Sequence, residues 1–336
     1  MKTGKMDINN LKSLILDQIS STNQDVLVKP NIGEDSAVLD FGEFVAVVST
    51  DPITGVQEGM GGLAVNVACN DIAANGAKPI GIQQLLLIPP ETTKKAIMAI
   101  INDVNQSAEK LKIAILGGHT EISNTVDKPL VSCTAIGKTT KEKFVTSSGA
   151  KIGDDIIVTK WVALEGTSIL ATDYYEHLIN LNINKELLTQ AKKMIKDISV
   201  IPEGLIGANF GVNAMHDVTE GGLYGSLYEL TEAANVGFII DQQKIPLHPA
   251  TEIITKTLGL NPYQLIGSGM MILTSNNGVK LVNELSKNEI KATIIGKITL
   301  QKRKINTKET EIELNNPPQE QLYEIISKLK GTSTER

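Results

Sequence analysis

Asn70-Asp71-Ile72-Ala73-Ala74-Asn75-Gly76-Ala77-Lys78-Pro79 decides how the first half of this 336-residue chain is read. Upstream of it, Gly61 to Asn75 carries Leu63, Val67, Ile72 and several alanines at helical spacing, and Gly76 stands where helices commonly end. Downstream, Ile80 to Ile88 reads as a buried strand that Pro89-Pro90 stops. An Asn-Asp pair inside so apolar a helix costs stability unless each side chain is paired or exposed. The stretch therefore predicts a helix-to-strand unit with a polar group that needs a partner.

Similar units extend on both sides. Leu11 to Ile19 has helical spacing, and Phe44 to Ser49 reads as a strand. Glu91 to Leu111 predicts a long helix, and Ile113 to Leu116 a strand broken by Gly117-Gly118. Leu130 to Gly137 predicts a further strand. Small and turn residues cluster from Ser147 to Gly153, which places a domain boundary there. Beyond it, Ile156–Thr159, Gly237–Ile240, Met270–Thr274 and Thr293–Ile298 read as strands. Helices are expected from Gly166, over Leu187–Ile195, over Leu223–Ala234 and over Gln319–Leu329. The fold class is α/β (α+β), with two mixed α/β domains over residues 1–148 and 149–336.

Composition narrows the function. With 41% hydrophobic and 21% charged residues, the chain has the make-up of a soluble globular protein. A formal net charge of −6 argues against a nucleic-acid surface, which needs clustered Lys and Arg. No run approaches the roughly 20 apolar residues of a membrane helix, and Met1 to Asn10 lacks the apolar run of a signal peptide. Cys69 and Cys133 form no metal-type cluster and read as buried thiols. A cytoplasmic location is expected.

Four acidic positions in the first half stand out. Asp35 precedes a short apolar run, and Asp51 follows the Phe44–Ser49 strand. Asp71 sits in the apolar helix, and Glu121 closes Gly117-Gly118-His119-Thr120-Glu121. Carboxylates at strand ends converge at one sheet edge, and such oxygen ligands suit Mg²⁺ together with a triphosphate. Glycine-rich turns at Gly59 to Gly62 and at Glu165-Gly166-Thr167 are candidate phosphate cradles. Taken singly, each of these residues reads better as a turn or cap residue than as a ligand, Asp71 being the hardest to dismiss, and His119 reads better as a structural histidine than as a base.

The ordered set carries more. Gly33-Glu34-Asp35-Ser36-Ala37, Ser49-Thr50-Asp51, Asn70 to Pro79, Gly117 to Glu121 and Asp217-Val218-Thr219-Glu220-Gly221-Gly222-Leu223 follow one another along the chain. In that order they resemble the superfamily of aminoimidazole ribonucleotide synthetase, HypE, selenophosphate synthetase and thiamine-monophosphate kinase. Thr159-Lys160, Glu165-Gly166-Thr167 and the Asp217 to Leu223 segment make the chain most similar to HypE-like, AIR synthase-related members.

The resemblance implies a homodimer whose N-terminal sheets close into an intersubunit barrel, with ATP in a cleft at that interface. It implies Mg²⁺ on Asp35, Asp51 and Asp71, and His119, Glu121 and Asp217 as candidates for the catalytic base. Gly117, Gly118, Thr219, Gly221 and Gly222 would line the nucleotide site, and Lys5 would reach the phosphates. The shared chemistry is ATP-dependent phosphorylation or phosphate activation of a small-molecule carbonyl, amide or similar group.

The sequence departs from the family in three places. It ends Gly331-Thr332-Ser333-Thr334-Glu335-Arg336 without the terminal Cys of HypE, so nitrile synthesis on its own tail is not expected. No Cys accompanies Gly4-Lys5, which argues against selenide activation. Glu121 follows His119-Thr120 where the purine enzyme reads Gly-Gly-Glu-Thr. Two further readings compete with a metabolite enzyme: an ATP-binding maturation factor acting on a protein partner, and a silent paralogue, which the complete acidic set opposes.

Overall fold

The computed structural model describes residues 4–331, except 22, 55 and 57. The first half builds a six-stranded sheet from β1 (Val26–Val28), β2 (Ala37–Phe41), β3 (Phe44–Ile53), β4 (Lys78–Ile88), β5 (Ala114–Ile122) and β6 (Leu130–Thr140). Their spatial order is β1-β2-β3-β6-β4-β5, with only β4 and β5 parallel. Alternation sets its faces: Val45, Val47 and Ile53 of β3 point inward, while Phe44 is exposed. The Met60–Ala74 and Lys94–Leu111 helices cover the inner face.

The second half builds a seven-stranded sheet from β7 (Asp155–Thr159), β8 (Ala214–Asp217), β9 (Gly237–Asp241), β10 (Met271–Ser275), β11 (Ala292–Thr299), β12 (Arg303–Asn306) and β13 (Glu311–Glu313). Their order is β13-β12-β9-β11-β7-β10-β8, parallel only between β12 and β9. Both halves are mixed α/β, as expected.

The Met60–Ala74 helix joins the two. All its residues but Gly62 are buried, so it is covered on every side although it carries Asn66, Asn70 and Asp71. Ile72 packs in the first sheet's core, while Ala74 belongs to a cluster with Ile157, Val200 and Met215 of the second half. The Ile201–Phe210 helix crosses it closely: a Cβ on Gly204 would stand 2.2 Å from the Ala73 carbonyl oxygen. Asn70 finds its partners here, donating to the Ile198 carbonyl at 2.9 Å and accepting from Val200 N–H at 2.9 Å.

Three local expectations change. β5 is not broken at Gly117-Gly118 but runs through both, at φ +134° and +149°. A side chain at Gly118 would meet the Gln84 carbonyl oxygen at 1.8 Å, so glycine permits the close pairing. The helix expected from Glu91 starts at Lys94, because Thr93 Oγ1 caps it by accepting from Ala96 N–H at 3.2 Å. The segment around Leu11–Ile19 winds through Ile8–Asn10, a π-helical Leu11–Ile15 and a 3₁₀ turn Leu16–Gln18. Leu14, Ile15 and Ile19 stay exposed there, so no core enforces regular α geometry.

Candidate active site

Four aspartates meet where the first half of the chain packs on the second. Asp35 comes from the turn before β2, Asp51 from β3, Asp71 from the Met60–Ala74 helix and Asp217 from the end of β8. Ser49 links three of them. Its Oγ donates to Asp71 Oδ2 at 2.5 Å, and lies 3.4 Å from Asp51 Oδ2 and 3.1 Å from the Asp35 carbonyl oxygen. Ser132 Oγ donates to the Asp51 carbonyl oxygen at 3.0 Å and steadies the strand behind it.

The electrostatics of this cluster are unbalanced. Asp217 is 1% exposed, and neither of its carboxylate oxygens has a hydrogen-bond partner. Burial, then the Asp35 carboxylate, push its pKa well above the usual carboxylate range, with His216 pulling the other way. Asp71 is likewise raised, by burial first and then by Asp51 and Asp217. Groups so placed favour a proton or a cation among them. The donors are all hard oxygens, which fits Mg²⁺. Among the described residues no three acidic, His or Cys side chains close into a coordination shell.

Beside the aspartates runs an ion chain that starts at the exposed Lys5 and ends on the buried Glu229 and His216. His216 Nδ1 lies 2.9 Å from Asp35 Oδ2 and 3.0 Å from Ser147 Oγ. Its Nε2 is 3.4 Å from Glu229 Oε2, a charge contact too poorly formed to count as a hydrogen bond. Burial works to depress the imidazole, but Asp35 and Glu229 outweigh it and raise the pKa to about 10. Lys5 Nζ donates to both Glu229 oxygens, at 2.7 and 3.0 Å. Against the opposing effect of burial, Lys5 and His216 lower Glu229 to about 2.

The loop after Asp217 opens the Gly222–Ala233 helix, with Gly221 and Gly222 at φ +80° and +62°. Any Cβ on Gly222 would lie 2.7 Å from the Leu265 and Tyr263 carbonyl oxygens. Gly222 N–H donates to the Thr219 carbonyl at 3.1 Å, and Gly221 N–H to Glu320 Oε2 at 2.8 Å. The anion-receiving end of this helix thus already holds a carboxylate of the chain itself. Glu165 is buried nearby with one oxygen unpartnered, and burial holds Glu165 and Glu320 each at about 7.

Asp35, Asp51, Asp71, Asp217 and Lys5 are therefore gathered between the domains, with Thr219, Gly221 and Gly222 in the adjoining loop. His119 and Glu121 lie elsewhere, on edge strand β5, three places from β3 in the sheet. Their side chains are 68% and 54% exposed and face each other at 3.5 Å. Gly117 and Gly118 share that strand. Of the other glycine turns, Gly61 serves helix packing, since a Cβ there would stand 2.3 Å from the Ile100 carbonyl oxygen. Gly166 is pressed against Leu265 in the same way. Ser49 opens one of the quoted motifs without a role of its own, and His216, Glu229 and Glu320 lie outside the candidate set. His216 adjoins the flagged Asp217, and that adjacency was the available signal.

Both halves of the chain match the models of one family. Residues 33–139 match the model of the AIR synthase related protein N-terminal domain, and residues 151–307 that of the C-terminal domain. The chain belongs to the AIR synthase related family. Among its relatives is a Methanocaldococcus jannaschii protein named for hydrogenase expression/formation, 28% identical over 80% of this chain and 79% of that protein. Carbamoyl dehydratase HypE of Bradyrhizobium diazoefficiens is 23% identical over 71% of this chain and 69% of its own. Selenide, water dikinase of Myxococcus xanthus is 28% identical over 72% of this chain and 68% of its own. Two solved structures share the fold at 20% identity. HypE in its complex with HypF has a TM-score of 0.75 over 92% of this chain and 99% of that one. ThiL bound to AMPPCP and TMP has a TM-score of 0.73 over 94% and 99%.

Proposed function

We propose that this chain is an Mg–ATP-dependent enzyme that phosphorylates or phosphate-activates a carbonyl, amide or similar group of a small molecule. The observation that carries this reading is Asp217, buried with both oxygens unpartnered beside Asp71, Asp51 and Asp35. Such a group calls for a cation and for a polar ligand to complete it. Relatives named as a dikinase and a dehydratase, and a fold neighbour solved with AMPPCP, support a nucleotide as that ligand.

Asp35, Asp51 and Asp71 are the residues that would hold Mg²⁺, which when bound neutralises phosphate charge. Ser49 orients the Asp71 carboxylate, and Asp217 holds or accepts a proton at its unpartnered oxygens. The Thr219–Gly222 loop borders the substrate side. His119, Glu121, Gly117 and Gly118 sit on the strand edge and enter a nucleotide site only from a subunit interface. The outer face of the first sheet suits such an interface, because Phe44, Ile80 and Leu85 are exposed there. A homodimer through this face is part of the proposal.

Calorimetric ATP titration with and without Mg²⁺, on wild type and Asp71→Asn, tests the reading. Mg²⁺-dependent binding that weakens in the variant supports it, and no ATP binding under any metal condition sinks it. A second reading, a maturation factor acting on a protein, is favoured by the likeness to HypE in complex with HypF and by the name of the M. jannaschii relative. Turnover only in the presence of a protein acceptor would select it.

A further inference from the structure

From the second sheet, His216 reaches across to a first-half aspartate of the site, and its surroundings are built to hold it still. Its side chain is 2% exposed, with Asp35 Oδ2 at 2.9 Å on one ring nitrogen and Glu229 Oε2 at 3.4 Å on the other. Ser147 Oγ stands 3.0 Å from Nδ1 and donates to the Met215 carbonyl at 3.0 Å, which ties the ring to its own strand. Lys5 clamps Glu229 from behind with two hydrogen bonds of 2.7 and 3.0 Å. The Asp35 turn is pressed onto the same helix: a Cβ on Gly33 would lie 2.4 Å from the Glu229 carbonyl oxygen.

We infer that His216 is a positioning residue that fixes one oxygen of Asp35, so that the other is presented to the cation of the Mg–ATP site. The inference rests on the proposed role of Asp35 as a metal ligand. A carboxylate on a turn has two side-chain torsions to lose before it can ligate. A rigid second partner removes that freedom in advance, and outer partners of this kind typically set metal affinity by 10- to 100-fold. The arrangement is directional: Lys5 holds Glu229, Glu229 faces the imidazole, and the imidazole faces Asp35. It also makes the second domain contribute to a ligand that the first domain carries.

The test uses the full chain and Mn²⁺ as probe, titrated in the presence of a non-hydrolysable ATP analogue, with the denaturant midpoint of the metal-free protein measured beside it. His216→Ala is expected to weaken Mn²⁺ by about 10- to 100-fold. His216→Asn, whose amide N–H can still reach Asp35, is expected to recover part of the loss, which a purely structural role would not predict. Should His216→Ala not fold, Glu229→Gln decides. Weaker Mn²⁺ binding at an unchanged midpoint supports the inference, and wild-type affinity overturns it. Wild-type affinity in a folded His216→Ala overturns positioning while leaving the metal site intact. A wild type that takes up no Mn²⁺ with the analogue overturns the metal reading itself, and positioning with it.

Discussion

Lys160 Nζ lies 2.7 Å from Glu203 Oε1, although the Glu203 side chain is 1% exposed. The ammonium gives its hydrogen bonds to the carbonyls of Asp197, at 3.0 Å, and Ser199, at 2.5 Å, so Glu203 is matched by charge and not by a hydrogen bond. Removing the cation strands a buried carboxylate. Lys160→Met is expected to cost about 3–5 kcal/mol of stability. A urea unfolding curve within 1 kcal/mol of wild type, roughly the value of an exposed pair, would show that water reaches Glu203.

Asn70 makes a comparable bond across the domain boundary. Asn70→Leu keeps the volume but leaves the Ile198 carbonyl and the Val200 N–H without partners. Each such buried orphan costs roughly 1–3 kcal/mol. The expected signature is a lower thermal midpoint with nucleotide-independent loss of stability; an unchanged midpoint would mean the link between the halves lies elsewhere.

Glu165 and Glu320, each raised to about 7 from an ordinary 4.5, give stability a pH dependence of definite sign. Between those values the folded chain binds more protons than the unfolded one, so stability falls as pH rises from about 4.5 to about 7. Below the unfolded pKa the contribution is fully present, and above the folded pKa it is lost. Glu165→Gln is expected to remove up to about 1.4 kcal/mol per pH unit from that slope. Denaturant midpoints taken at intervals from pH 4.5 to 8 check it, and a variant slope equal to wild type refutes it.

The outer sheet face offers a different kind of test. Ile80 and Leu85 are both exposed on the outer side of β4. Lysine at both positions is expected to convert a dimer into a folded monomer, read by sedimentation. A wild type that sediments as a monomer at micromolar concentration counts against the subunit interface.

What sequence made legible was local. The apolar helix around Asn70-Asp71 and the strands of both halves follow from spacing, because period and side-chain chemistry act over a few residues. The four flagged aspartates do converge, since each sits near a strand end or in the Met60–Ala74 helix, which packs against both halves. The His216 chain was not legible, because Lys5 and Glu229 are 224 residues apart and only the assembled fold brings them together. The continuity of β5 through two glycines escaped for a related reason: the close approach of Gln84 belongs to the partner strand, not to the glycines.

The Met60–Ala74 helix sets a limit on how this protein can come apart or be rebuilt. Since Ile72 serves one core and Ala74 the other, melting either sheet strips cover from the same fifteen-residue helix. Unfolding is then expected to be a single cooperative event across the chain, which coincident denaturation curves from probes in the two halves would check. For the same reason the second half is no exchangeable module. A graft from a relative would succeed only if it brought a surface able to receive Ala73 as closely as Gly204 does.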